Sequence, residues 1–358
     1  METQPTSTSR RILVAPLNWG LGHAARCIPV IKALEDYGFL PILASDGAAL
    51  ELLRKEFPHL ESLELPSYEI EYPKKGENFK WKMLSKTPVI IEAVLNEKRI
   101  VKRWIKEFGL AGIISDNRLG VVSKKIPSVF ITHQLNVLSG TTSWLSGGLH
   151  RRIIEKFTEC WVPDTEGIVN LSGRLGHLKK TKLNIKYIGP LSRLKKEELP
   201  LKYDLMVILS GPEPQRTVLE KLLFRQLSDY EGKIVFIKGT PEAKQQTQQR
   251  GNMTIYNFMT SETLNQTFNE SEMVVCRSGY STLMDLVKLE KKALLIPTPG
   301  QYEQEYLARK CKSEGLLPCA PQEKFKLENL LEIPLYKGLP ILSFEACWKE
   351  RFALFERE

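Results

Sequence analysis

From Arg11 onward the sequence alternates short apolar runs with longer amphipathic stretches, and this alternation constrains the fold more than any other feature. Parallel strands need a crossover between them, so the pattern is typical of α/β domains with helices on both faces of a sheet. Two such series occur, separated by a charged stretch at 189–200 that has a proline at each end. We therefore predict two doubly wound, Rossmann-like domains that face each other across a cleft.

The predicted N-terminal domain covers residues 1–190, a linker covers 191–202, and the C-terminal domain covers 203–340. The last segment, 341–358, carries aromatic residues at helical spacing, and we predict a helix that packs back on the N-terminal domain. The predicted strands are 12–16, 40–44, 112–115, 128–131 and 160–162 in the first domain, and 205–209, 233–237, 253–256, 273–276 and 293–296 in the second.

The chain has 358 residues and a formal net charge of +9, and the excess lies in residues 1–200, which hold 30 basic and 21 acidic residues. A hydrophobic content of 42% excludes a disordered chain. No apolar run approaches the roughly 20 residues that span a bilayer, and the N-terminus has no signal-peptide core, so we expect a cytoplasmic protein. The six cysteines lack zinc-site spacing, and no metal site is expected.

The loop after the first strand contains Gly20, Gly22 and His23. The glycines permit a tight turn, and the helix that follows would direct backbone N–H groups toward an anionic ligand. Asp116 ends a neighbouring strand, and His133 follows the next one. An aspartate bonded to one ring nitrogen of His23 would orient the imidazole as a general base. The alternatives are that His23 only anchors the loop and that Asp116 is a cap or turn residue.

The C-terminal domain carries a second candidate site, which begins with Arg277, Ser278 and Gly279 after a predicted strand. The helix that follows would offer its N-terminal N–H groups to a phosphate, and Thr282 could add a hydroxyl. One turn further on, Asp285 could accept hydrogen bonds from both hydroxyls of a ribose. Alternatively, Thr282 and Asp285 form a helix-capping pair.

Two further segments follow strands of the same domain. Ser210 and Gly211 could form another backbone anion site before a proline-initiated helix. Gln304 and Glu305 lie near a helix start and could bind sugar hydroxyls, although alone they would be typical of a solvated helix face. The sequence contains no D-x-D motif and no P-loop, which argues against a metal-held sugar diphosphate and against a kinase.

Residues 11–31 and 253–310 resemble the two-domain GT-B glycosyltransferases, most closely the MurG-like group, which transfers N-acetylglucosamine from UDP to a lipid-linked acceptor. The residues that carry the resemblance are Gly20, Gly22 and His23 in the family's glycine-rich turn, Arg277, Ser278, Gly279 and Thr282 in its R-S-G motif, Asp285 at its ribose-binding glutamate, Gln304 and Glu305 at its paired glutamines, and Phe258 and Met259 at its uracil-flanking segment.

The resemblance implies a metal-independent, inverting glycosyltransferase that uses a UDP-sugar, with N-acetylglucosamine or a related hexose as the sugar, and no cofactor. The catalytic residues would be His23 and Asp116, and Arg277 would stabilise the departing diphosphate.

Segment 80–106 combines Trp81 with many basic residues, including Lys98, Arg99 and Lys102 on a helix predicted at 88–108. Such a surface could hold the protein peripherally on the anionic inner face of a membrane, which would suit a lipid-linked acceptor. The alternative is a solvated basic helix face.

Two other functions stay open. The segment from Gly20 to Cys27 also resembles the opening of a nucleotide-sugar hydrolase of the same fold, in which water replaces the acceptor. A pI near 9.1 would also suit a nucleic-acid-binding protein, but the sequence shows no recognised nucleic-acid module, and we expect no such partner.

Overall fold

The computed structural model describes residues 10–68, 79–137, 143–240, 244–342 and 347–356. Within these ranges the chain forms two α/β domains, organised by a seven-stranded and a six-stranded sheet. The predicted fold class is confirmed.

The strands of the first sheet are β1 (Arg11–Pro16), β2 (Leu40–Ser45), β3 (Ser62–Glu64), β4 (Leu110–Asp116), β5 (Ser128–Ile131), β6 (Glu159–Val162) and β7 (Ile185–Tyr187). The paired strands are parallel, in the order β3-β2-β1-β4-β5-β6-β7. Strand order reverses between β1 and β4, and open α/β sheets bind ligands where the loops diverge at such a point. Pro16 and Asp116 are in register at the ends of these two strands.

The strands of the second sheet are β8 (Tyr203–Ile208), β9 (Ile234–Ile237), β10 (Thr247–Arg250), β11 (Met253–Tyr256), β12 (Ser271–Cys276) and β13 (Lys292–Leu295). Their order is β10-β11-β9-β8-β12-β13, with β10 antiparallel to β11 and the other pairs parallel. The order reverses here between β8 and β12, so each sheet has one such crevice.

All ten predicted strands overlap observed ones, whereas β3, β7 and β10 were not predicted. Each of the three lies at the outer edge of its sheet. Edge strands bury little apolar surface, and β10 is exposed at every residue, so no hydrophobic pattern marks them in the sequence.

The α-helices are α1 (Leu21–Asp36), α2 (Gly47–Glu56), α3 (Phe79–Glu107), α4 (Ser143–Ile154), α5 (Gln215–Gln226), α6 (Ser261–Asn269), α7 (Tyr280–Leu289), α8 (Tyr302–Ser313) and α9 (Trp348–Phe352). Two differ from the prediction. Helix α1 begins directly after Gly20, whose φ of 79° favours glycine, so Gly22 and His23, which were predicted in the loop, lie in the first turn of the helix. Helix α3 begins at Phe79, nine residues earlier than predicted.

The C-terminal segment packs on the N-terminal domain, as predicted. Phe352 and Phe355 are buried, and both rings lie within 6.5 Å of the Trp161 ring. Gly112 makes room for the Phe355 ring, because a Cβ there would lie 2.2 Å from its Cδ1 atom. Helix α9 (Trp348–Phe352) is shorter than the helix predicted over 341–358, of which residues 343–346 and 357–358 lie outside the described residues.

Residues 188–202 connect the two sheets, where the linker was predicted. None of the helices in the described part of the chain combines the length and apolar composition that crossing a bilayer requires.

Candidate active site

A histidine–aspartate pair lies at the switch point of the first sheet. Because α1 begins at Leu21, His23 lies in its first turn, and Asp116 ends β4. The His23 Nδ1 atom is 2.8 Å from Oδ1 of Asp116, which is the contact expected from the sequence. Asp116 is fully buried, whereas 16% of the His23 side chain is exposed. The imidazole therefore keeps access to the cleft.

Arg26, one turn further along α1, binds the same carboxylate. Its Nε donates to Oδ2 of Asp116 and its Nη2 donates to Oδ1, both at 2.5 Å. Burial alone would raise the pKa of Asp116, but the charge of Arg26 and the contact with His23 hold that pKa well below its usual range. Asp116 is thus ionised and able only to accept hydrogen bonds.

These contacts determine the protonation of His23. Since Asp116 can only accept, its contact assigns the proton to Nδ1 of His23 and leaves the lone pair on Nε2; Arg26 Nη2, which can only donate and lies 2.8 Å from the same nitrogen, then donates to Asp116 alone. Burial and the nearby guanidinium of Arg26 lower the pKa of His23, while Asp116 opposes this. The imidazole is therefore held neutral, with one defined tautomer, as a general base requires.

A second histidine extends this cluster into the other domain. His133 Nδ1 lies 3.0 Å from Nη1 of Arg26, and its Nε2 lies 2.9 Å from Oε1 of Glu303 in the first turn of α8. Gln134 donates to the other carboxylate oxygen of Glu303. The network thus joins α1 and β4 of the first domain to α8 of the second.

The first turns of α1 and α7 also meet across the cleft. Ser281 Oγ donates to the Gly22 carbonyl at 3.1 Å, and a Cβ on Gly22 would lie 2.7 Å from that hydroxyl oxygen. Tyr280 stacks on His133 with ring centroids 4.1 Å apart and an interplanar angle of 3°. The N-terminus of α7, which was predicted to bind phosphate, therefore lies next to Gly22, the residue before His23.

Arg277, which was predicted to stabilise a diphosphate, does not lie on the surface of this cleft. It is fully buried, and its guanidinium donates to the carbonyls of Gln215, Ile296 and Pro297 and to the side chain of Gln322. Burial lowers its pKa to about 10. Arg277 thus holds these loops together, and its contribution to stabilising a diphosphate stays a prediction.

Several other candidate side chains are also engaged within the second domain. Ser278 Oγ donates to the Gln304 carbonyl at 2.8 Å. Gln304 Oε1 accepts from the N–H of Thr298, and Glu305 Oε1 accepts from that of Gly300, each at 2.9 Å. Gln304 and Glu305 therefore brace the loop before α8. In this arrangement Glu303, which was not selected from the sequence, faces the first domain.

Other predicted donor residues remain on the open face. Gly279 precedes α7, and Thr282 lies half-buried in its first turn, so Thr282 and Asp285 do not form a capping pair. Ser210 and Gly211 are exposed at the end of β8, where Gly211 has a φ of 99°. These residues line the switch point between β8 and β12.

Asp285 lies beside the connection between the domains. Ser192 Oγ donates to its Oδ1 at 2.5 Å. Burial raises the pKa of Asp285 to about 6, and the bond from Ser192 opposes that rise. A carboxylate held under such unfavourable conditions is typical of functional sites.

Phe258 and Met259 follow β11. Met259 is buried, and Lys55 of the first domain lies 5.4 Å above the centroid of the Phe258 ring. The Phe258 N–H is bound by Oδ1 of Asn257 at 3.0 Å.

In the described part of the chain, no group of three or more histidine, cysteine, aspartate or glutamate side chains is placed to hold a metal ion. Metal independence stays a prediction.

The sequence left two parts of this site unidentified. Arg26 was visible only as one basic residue on a helix, since its partners are 90 and 107 residues away in the chain. Glu303 was visible as one of several acidic residues in a helix start. Arg26 gains its role from contacts within the first domain, whereas Glu303 gains its role only where the two domains meet.

Comparison with known proteins supports this architecture. Residues 214–335 match the glycosyltransferase family 28 C-terminal domain. An uncharacterized glycosyltransferase of Methanosarcina mazei is 28% identical over 336 residues, covering 85% of this chain and 84% of that protein. The UDP-N-acetylglucosamine–N-acetylmuramyl-(pentapeptide) pyrophosphoryl-undecaprenol N-acetylglucosamine transferase of Pasteurella multocida is 23% identical, covering 90% and 88%.

The fold is also similar to a solved structure. The crystal structure of Acinetobacter baumannii MurG superposes with a TM-score of 0.57 at 13% identity, covering 98% of this chain and all of that one.

Proposed function

We propose that this chain, a glycosyltransferase with the GT-B fold and a family 28 C-terminal domain, moves a sugar from a UDP-linked donor to an acceptor hydroxyl. The transfer inverts the anomeric carbon and uses no metal ion. N-acetylglucosamine is the proposed sugar, because that is the sugar named for the Pasteurella multocida relative.

The observation that carries this proposal is the meeting of α1 and α7. The contact between Ser281 and Gly22 places the oriented base, His23, next to the N-terminus of α7. Helix N-termini bind phosphate through free N–H groups and the helix dipole. The proposed base and the proposed anion-binding helix end thus lie side by side, and transfer from a sugar diphosphate needs both.

In the proposed reaction, His23 Nε2 removes the proton from the acceptor hydroxyl as its oxygen attacks the anomeric carbon. The bond to the diphosphate breaks on the opposite face, and the N–H groups at the start of α7 stabilise the leaving charge. Asp116 fixes the tautomer that makes this possible and stabilises the imidazolium that forms. Asp285 is the proposed ribose contact.

The proposed acceptor is lipid-linked, and α3 is the proposed membrane contact. Ile91 and Leu95 are 54% and 48% exposed, one helical turn apart. Arg99 and Lys102 are also exposed on this helix, and the first domain carries the positive excess. An exposed apolar stripe with nearby basic residues suits the anionic inner face of a membrane. The side chains of 79–88, including Trp81, lie outside those described.

The first experiment measures thermal stabilisation by UDP, GDP, dTDP, CMP and NAD on the wild type, on Asp285→Ala and on the control Glu272→Ala, which changes an exposed residue of β12. A ligand at about 100 times its dissociation constant adds about 2.7 kcal/mol. We expect UDP to stabilise the wild type and the control most strongly, and Asp285→Ala to lose that effect. No stabilisation by any nucleotide would contradict the proposal.

A second measurement separates transfer from hydrolysis. The enzyme is incubated with UDP-N-acetylglucosamine alone and then with membrane lipid extract. UDP release that depends on the lipid supports transfer. Rapid release of free sugar without any acceptor would identify a nucleotide-sugar hydrolase instead.

A further inference from the structure

We propose that Glu303 is a positioning residue that the donor domain supplies to the catalytic base. Through His133 and Arg26 it holds the pair of His23 and Asp116, so the base is fully oriented only when the two domains are closed. This inference rests on the proposed function of His23.

Arg26 is the centre of this network. Its three nitrogens reach Asp116, His133 and His23, and only 2% of the residue is exposed. Its Nη2 lies 2.8 Å from Nδ1 of His23, so a rotation of the guanidinium would move it against the base. A change in the orientation of Arg26 would therefore disturb His23 both directly and through the carboxylate that they share.

His133 must take one tautomer to satisfy both of its neighbours. Arg26 has only donors, so Nδ1 of His133 accepts, and the Glu303 carboxylate only accepts, so Nε2 donates. This is the opposite tautomer from that of His23. The stack on Tyr280 holds the ring in plane.

Glu303 determines the tautomer of His133 from the other domain. Burial alone would raise the pKa of Glu303, but His133 and Arg26 lower that pKa below its usual range. The Glu303 carboxylate is therefore charged. If the domains separate, His133 loses this acceptor together with the Tyr280 ring. Its Nε2 proton is then no longer fixed, and Arg26 loses a defined acceptor on that side.

A base that is complete only in the closed state would limit reaction with water in the open cleft. Exclusion of water on closure is a general way in which enzymes avoid side reactions. Glu303 is directly followed by Gln304 and Glu305, which hold the loop before α8. The start of α8 therefore connects the proposed donor-binding loop to the base.

The test compares the wild type with Glu303→Gln by ¹⁵N NMR of the histidine side chains. The chain has five histidines, so each ring can be assigned by substitution. We expect Nδ1–H for His23 and Nε2–H for His133 in the wild type. In Glu303→Gln, where an amide replaces the carboxylate acceptor, we expect the signals of His133 and His23 to shift.

Glu262→Gln is the matched control, because Glu262 is an exposed acidic residue in the first turn of α6. It removes the same charge from a helix start of the same domain. Its histidine signals should match the wild type. His133→Phe is a second variant, which keeps an aromatic ring against Tyr280 and removes both nitrogen contacts.

Turnover is measured as UDP release from UDP-N-acetylglucosamine in the presence of the membrane lipid extract. We expect both Glu303→Gln and His133→Phe to lower kcat about tenfold or more with the donor KM changed less than about threefold, and the double variant to be no worse than either. A rise in KM alone would show that Glu303 contacts the donor instead and would overturn the inference. Unchanged His23 and His133 signals in Glu303→Gln would also overturn it.

The two proposals fail separately. If the wild type releases no UDP from any nucleotide sugar, the proposed function fails, while the NMR signals still decide whether Glu303 positions His23.

Discussion

Replacing Asp116 by Asn is the most informative single change, because it keeps the shape of the side chain and removes its charge. Arg26 Nη2 already lies 2.8 Å from Nδ1 of His23. Without the carboxylate to hold the Nδ1 proton, we expect Arg26 to donate to Nδ1. The proton would then move to Nε2, the nitrogen that should accept the proton of the acceptor hydroxyl.

The expected loss of activity is large. A positioned general base contributes about 10² to 10⁴ in rate, so kcat should fall at least about 10²-fold, or about 2.7 kcal/mol of barrier. Donor KM should change less than about threefold, because Asp116 is buried beneath His23.

Stability should also fall, since Arg26 would be a buried cation without its carboxylate. Removing one partner of a buried ion pair costs about 3–5 kcal/mol. The pKa of Asp116 is lower in the folded state than in the unfolded state. The wild type should therefore have the larger free energy of unfolding above about pH 4, and this difference from Asp116→Asn should be lost as the pH falls toward the folded pKa. Denaturant unfolding at pH 7 measures the full difference, and at pH 3, which still lies above the folded pKa, it should show a partial loss.

The double variant Arg26→Met with Asp116→Asn separates the two effects. It removes the uncompensated cation, so stability should recover by more than half while turnover stays low. The reasoning is refuted if Asp116→Asn keeps kcat within threefold of the wild type, or if ¹⁵N NMR shows that His23 retains Nδ1–H in that variant.

Three further predictions concern other parts of the chain. Gly112→Ala should destabilise the protein by about 1–3 kcal/mol in thermal unfolding, because the new methyl group crowds the Phe355 ring. Gly148→Ala on α4, where a Cβ meets nothing within 4 Å, should not destabilise it, and equal effects of the two variants would contradict this packing. Burial raises the pKa of Asp285 to about 6, so Asp285→Asn should raise the melting temperature above pH 6, where the wild-type carboxyl is charged, and not at pH 4. An equal gain at both pH values would show that the buried charge is not the cause. Leu95→Ser should weaken sedimentation with anionic vesicles, whereas Leu331→Ser, at a residue of the second domain that is 74% exposed, should not.

The strands were predictable because their signal is local. Central parallel strands are buried on both faces, and Ile12 to Ala15 have no exposed surface, so they appear as apolar runs between glycine, proline and polar residues. The contact between His23 and Asp116 was predictable for a related reason. Residues that follow adjacent strands of a parallel sheet leave the same edge, so the strand assignment alone brings them near each other.

The roles of Arg277, Gln304 and Glu303 were decided only by tertiary structure. The sequence placed Arg277 and Gln304 at strand ends and helix starts, but it could not indicate that both would turn inward and bind loop groups. Glu303 gains its partners from residues about 170 positions earlier in the chain, in another domain. Periodicity and motifs report on neighbours within one element, whereas the partner of a charged side chain across a cleft depends on how two separately folded units meet.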